Sequence, residues 1–169
     1  MSTKEDDELP PGLAEEILLL SETVLKIKDR PSQLLRLHAL SEWYIERILT
    51  VFLKQPEVVL KDSRFTYSHK LKLAKALNAL PEKIIDALRR LSKLRNECAH
   101  SMMPVITDSQ IKDASQPIMK DFKKYKEDHK KDGLDPDILH IYVWTLFTEL
   151  SISVAPIEQV YNEIFENNA

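Results

Sequence analysis

Only two glycines, Gly12 and Gly133, occur in a chain of 169 residues. A sheet protein of this length needs many tight hairpin turns, and those turns draw on glycine for backbone conformations that other residues resist. The chain is therefore expected to build its core from helices. Its prolines punctuate them. Pro31, Pro81 and Pro136 sit where a first helical turn tolerates a missing N–H. Pro56 and Pro104 set limits, Pro117 interrupts, and Pro156 kinks.

Between these marks, apolar spacing predicts a first helix over residues 13–28 and a second, capped by Arg30 or Ser32, that ends before Pro56. In the second, Leu34, Leu37, Tyr44, Ile48 and Phe52 form the buried stripe, with Glu42, Glu46, Thr50 and Lys54 on another face. Residues 55–66 lack periodicity and read as a loop. A third helix over 67–79 carries Leu73, Leu77 and Leu80, with Lys70, Lys72 and Lys75 mostly elsewhere. A fourth begins at Pro81 and packs Ala87, Leu91, Leu94 and Cys98. Thr107 and Gln110 match a capping box. Asp135 and Pro136 start a last helix that runs to about Phe165. Its residues 138–155 are apolar on nearly every side, which means deep burial or a subunit interface. The expectation is an all-α single bundle of five to six helices over 13–169, preceded by a flexible acidic tail over 1–12.

Hydrophobic residues at 43% and charged residues at 30% suit one domain with a real core. One cysteine excludes an internal disulfide and fits a reducing compartment. The amino terminus is acidic and polar, unlike a secretory signal. No apolar run approaches the ~20 residues of a membrane span, so a cytoplasmic protein with no membrane contact is expected. A net charge of −3 gives no global attraction to nucleic acid, so any such binding must use a local patch.

Chemistry is suggested by one stretch, Leu91 to His100. Arg95 can hold a phosphate, His100 can move a proton near neutral pH, and Asn96 lies between them. Five helical steps leave Arg95 and His100 roughly 140° apart. A frayed helix end could swing the histidine back, or a second copy across a two-fold axis could bring two arginines and two histidines together. Asn96 and His100, four apart, share a face. Arg89, Arg90 and Lys93 are placed to guide a polyanion. Cys98 falls on the core stripe and reads as a structural thiol. The histidines at 38, 69, 100, 129 and 140 show no metal-ligand spacing, and no glycine-rich phosphate loop exists, so neither metal nor cofactor is expected. The run from Lys120 to Asp132 reads as a solvated face. The alternative there is an RNA contact in which Phe122 or Tyr125 stacks on a base.

The segment Arg95-Asn96-Glu97-Cys98-Ala99-His100 resembles the Arg-polar-x-x-x-His signature of the HEPN superfamily. Leu-Ser-Glu-Trp-Tyr-Ile-Glu-Arg-Ile-Leu at 40–49 is similar to the long first helix of that bundle. His-Lys-Leu-Lys-Leu-Ala-Lys-Ala-Leu-Asn-Ala-Leu-Pro at 69–81 is similar to the helix before the motif. The latter stretch, with Thr-Glu-Leu-Ser-Ile-Ser at 148–153, resembles the mannitol-operon repressor (MltR-like) branch. The resemblance covers about residues 34–103 and, more faintly, 138–165. It implies a helical bundle, often dimeric, and a metal-independent ribonuclease of toxin–antitoxin or antiviral systems. Met102 stands where HepT-type toxins carry a tyrosine, so nucleotidyl modification at that position is not implied.

On that resemblance, Arg95 would stabilise the scissile phosphate, His100 would transfer a proton, and Asn96 would orient the imidazole or bind phosphate. The expected protein is a homodimer acting on RNA, with an antitoxin or transcription factor as a further partner. The alternatives are a non-catalytic transcriptional regulator of the mannitol-repressor kind, acting through protein contacts, and a small helical adaptor with no site.

Overall fold

The longest buried stripe belongs to a helix that starts on an aspartate. In the computed structural model, which describes residues 12–165 and the side chains of 12–163, Asp29 Oδ1 accepts the Ser32 N–H at 2.9 Å. Asp29, and not Arg30 or Ser32, is therefore the cap of α2 (Arg30–Phe52), and Pro31 occupies its first turn. Leu34, Leu37, Tyr44, Ile45, Ile48 and Leu49 are almost fully buried, while Phe52 at the helix end is 39% exposed. Each buried side chain of this size contributes roughly 1.5–3 kcal/mol.

The described residues form eight α-helices rather than five or six, joined by turns and loops, and contain no strands. α1 (Leu13–Leu20) follows Gly12, whose φ of +82° suits glycine, and continues into one π-helical turn over Ser21–Leu25. After α2, the expected loop contains α3 (Pro56–Leu60), which uses Pro56 as its first residue instead of as a barrier. α4 (Tyr67–Ala76) stops short of 79. Asn78 enters the left-handed region at φ +49°, and the Ala79 N–H closes onto the Ala74 carbonyl at 2.9 Å. Pro81 caps α5 (Glu82–Ala99) from just outside it. Thr107 and Gln110 form the capping box of α6 (Asp108–Ala114). A 3₁₀ turn at Gln116–Ile118 absorbs Pro117 before α7 (Met119–Lys131). α8 (Ile138–Phe165) starts two residues later than Pro136, with Asp137 Oδ1 accepting the Leu139 N–H at 2.8 Å. Residues 1–11 of the acidic tail lie outside the described residues.

α8 packs along α2 and also meets α5, α6 and α7. That encirclement explains why its first half is apolar on nearly every side: Leu139, Ile141, Tyr142, Val143, Leu146, Phe147, Leu150 and Val154 are all buried. Burial within one chain accounts for this apolarity, so it is no longer an argument for a subunit interface. The segment Ile138–Glu163 is, contrary to the sequence expectation, long and apolar enough to cross a membrane by length and composition, but 56% of its most apolar window is buried in the fold.

Two polar contacts order the layers. The Lys70 side chain, 7% exposed, lies between the carboxylates of Glu42 and Glu46 and joins α4 to α2. Lys70 is therefore not a surface lysine, and Glu42 and Glu46 are not simply a solvated face. Arg30 joins the start of α2 to Asp108 and Asp137 and donates to the Ile106 carbonyl at 3.0 Å.

Within this core the hydroxyl of Tyr142 is buried without a hydrogen-bond partner among the described residues. An unmade buried hydrogen bond costs about 1–3 kcal/mol. Tyr142→Phe removes that group and keeps the ring. The variant should be more stable than the parent by about 1 kcal/mol in chemical denaturation, whereas a loss of stability would mean the hydroxyl is satisfied.

Candidate functional site

α5 divides its residues among distinct sides. Ile84, Ile85, Ala87, Leu88, Leu91, Leu94 and Cys98 face the core. Arg89, Lys93, Asn96 and His100 recur at steps of four, three and four, and line an open groove of about 610 Å³. The far wall is Tyr67, Ser68 and Leu71 of α4, with Ser92 and Glu97 completing the α5 side.

His100 is the C-cap of α5. Its φ of −90° and ψ of −3° keep it in helical register, and its N–H donates to the Asn96 carbonyl at 3.1 Å. The helix end does not swing the imidazole toward Arg95, so the angular separation stands. Arg95, half-buried, is outside the groove lining and near His38 of α2, whose protonation its charge opposes. Its Nη1 nevertheless donates to Asn96 Oδ1 at 3.0 Å. Arg95 is thus linked to the groove through Asn96.

Of the three basic residues expected to guide a polyanion, the groove takes Arg89 and Lys93 and not Arg90. Arg90 Nη1 donates to the Asp113 carbonyl at 2.8 Å and to Asp113 Oδ1 at 2.9 Å, tying α5 to the end of α6. Arg89 pairs with Asp86 at 3.0 Å and Lys93 lies 4.0 Å from Glu97. Such exposed pairs contribute little and exchange readily for another anion. Glu97, also held by Gln110 Nε2 at 3.4 Å, sets one carboxylate among these cations.

Cys98 is 5% exposed, and burial pushes its thiol up, with Asp29 adding to the effect and Arg95 opposing it. It is a core residue, as its spacing suggested. Phe122 is 4% exposed, so it cannot stack on a base as α7 stands. Among the described residues no three His, Cys, Asp or Glu side chains come together as a metal site.

His38, to which metal-ligand spacing assigns no role, stands behind the groove. Its ring lies 4.1 Å from the ring of Tyr67, whose hydroxyl meets Ser41 Oγ at 2.9 Å. Burial, then the charge of Arg95, lowers the His38 pKa to about 4, against a weaker upward pull from Glu42. A neutral imidazole therefore backs both the groove wall and Arg95. The available signal was helical register: His38 and Ser41, three apart, join Leu34 and Ile45 on one buried stripe.

No family model, curated protein or solved structure matches the chain.

Because unfolded His38 titrates near 6.5 and folded His38 near 4, the unfolded chain binds more protons between those values. Stability contributed by neutral His38 is complete above pH 6.5 and is lost as pH falls toward 4. The loss should reach about 2 kcal/mol by pH 5. Urea denaturation of the parent and His38→Gln at pH 7 and pH 5 checks this, and equal losses in the two proteins would contradict it.

Proposed function

We propose that the α5 groove binds single-stranded RNA and cleaves it without a metal ion, the chain acting as a toxin or defence effector. The observation that carries this reading is the Arg95–Asn96 hydrogen bond at 3.0 Å, because Asn96 shares the groove with His100, Arg89 and Lys93. A cation is thereby tied, through Asn96, to a groove that also holds a residue able to transfer a proton, with further cations to hold the flanking backbone. The resemblance of residues 34–103 to HEPN ribonucleases supports the same assignment.

His100 accepts the proton of the 2′-hydroxyl and the 2′-oxygen attacks the adjacent phosphorus. Arg95, oriented by Asn96, stabilises the charge that accumulates on the phosphoryl oxygens. The bond to the 5′-oxygen breaks, and that oxygen takes a proton from water or from a second His100 across a two-fold axis. The products are a 2′,3′-cyclic phosphate and a 5′-hydroxyl. A homodimer that juxtaposes two α5 helices would shorten the separation of arginine and histidine that one protomer leaves open.

A second reading is favoured by one observation. Directly after His100, Met102, Met103 and Val105 are 101%, 84% and 74% exposed. Apolar side chains this exposed, beside the groove, suit a protein partner: an antitoxin that covers the site, or a transcription factor if the chain is a regulator of the mannitol-repressor kind.

Arg95→Ala and His100→Ala should each lower cleavage of single-stranded RNA about a hundredfold or more, and to a similar extent, since groups acting as a unit fail together. Cleavage should continue in EDTA. Arg89→Gln with Lys93→Gln should weaken RNA binding and flatten its salt dependence, with little change in thermal midpoint. If both alanine variants cut as the parent does, or the parent binds a transcription factor and never cuts RNA, the regulator reading replaces this one.

A further inference from the structure

A larger cavity, of about 880 Å³, lies away from the α5 groove, between α1, α7 and α8. Its volume is in the range that holds a drug-sized molecule. Trp144 and Phe147 form an aromatic wall with their rings 5.9 Å apart, and Ile17 and Ile152 supply aliphatic surface. Ile152 is 66% exposed, so part of this apolar lining is left uncovered by the described residues.

The polar side of the cavity has a definite sign. Arg47 is bridged to Glu16 and, in bidentate fashion, to Glu158. Glu16 Oε2 also accepts from the Tyr44 hydroxyl and from Ser151 Oγ at 3.0 Å. Two carboxylates against one guanidinium leave an excess of one negative charge in this half-buried cluster, with side-chain exposures of 13% for Glu16, 21% for Glu158 and 24% for Arg47, and Glu163 is a further acidic residue of the lining. Partial burial weakens solvent screening, so that excess attracts a cation more strongly than an exposed pair would.

α8 adds an acceptor on the same side. Pro156 lies inside the helix and lines the cavity. It has no N–H to give to the carbonyl of Ile152, four residues earlier and also part of the lining. A helical carbonyl deprived of its donor and a carboxylate excess both call for a hydrogen-bond donor carrying positive charge. Aromatic faces are compatible with the same head group.

We propose that this cavity binds an amphipathic amine: an apolar body against Trp144, Phe147 and Ile152, and a protonated amine directed to Glu16, Glu158 and the Ile152 carbonyl. The test is titration calorimetry of the full chain with dodecylamine, dodecanoate and dodecanol, each below its micelle concentration. Dodecylamine should bind at least about tenfold tighter than dodecanoate, with dodecanol between them. Ile152→Lys places a cation at the exposed lip, where it does not disturb the core, and should abolish amine binding while the thermal midpoint stays near the parent's. Glu158→Gln removes the excess charge of the Arg47 cluster and should sharply reduce the preference for amine over dodecanol. Equal affinity for dodecylamine and dodecanoate would overturn the proposal. So would unchanged amine binding by folded Ile152→Lys, which would show adsorption elsewhere on the protein.

Discussion

A lysine held between two helices decides where the α5 groove stands. Lys70 is 6% exposed and contacts Glu42 and Glu46 of α2. Burial alone would lower its pKa, but the two carboxylates outweigh that effect and the net shift is upward. Removing either side of such a buried arrangement leaves a charge without its partner, a far larger penalty than losing an exposed pair. Directional contacts also fix the rotation of α4. One turn earlier, the Tyr67 ring packs at a tilt against His38 and its hydroxyl meets Ser41. With α4 pinned at both points, Tyr67, Ser68 and Leu71 become one wall of the groove and α5 the other.

The same geometry explains the division of labour on α5. A helix that buries seven apolar side chains has restricted directions left for polar ones. Arg89, Lys93, Asn96 and His100 take the direction toward the groove, whereas Arg95 falls toward His38. The Asn96 amide turns that misalignment into a connection, because it lines the groove and accepts from Arg95 at the same time. A neutral His38 behind Arg95 adds no competing charge, which leaves the guanidinium available to an anion.

Much of this was legible in the sequence where local rules act alone. The scarcity of glycine required helices, the Thr107–Gln110 box opened α6, and the spacing of Leu91, Leu94 and Cys98 placed the thiol in the core. What was not legible depended on a second element. Lys70 looked like one of several surface lysines because its partners lie 24 and 28 positions away. Arg90 looked equivalent to Arg89 until Asp113, 23 positions on, claimed it. The apolar half of α8 fitted burial or an interface equally well until four neighbouring helices surrounded it. At the site, register grouped Asn96 with His100 and set Arg95 roughly 140° from His100. The bridging hydrogen bond is a property of one arginine rotamer and has no signature in spacing.

Under the proposed function, the α4–α5 groove, and not the lysine-rich α7, receives the nucleic acid. Amide chemical-shift mapping with a 2′-O-methyl RNA oligonucleotide, which cannot be cleaved by attack of its 2′-oxygen, tests this directly. Shifts are expected over residues 67–71 and 89–100, including the Asn96 side-chain amide, with α7 and the outer half of α8 unmoved. Shifts centred on the α7 lysines, or none at low salt, would contradict it.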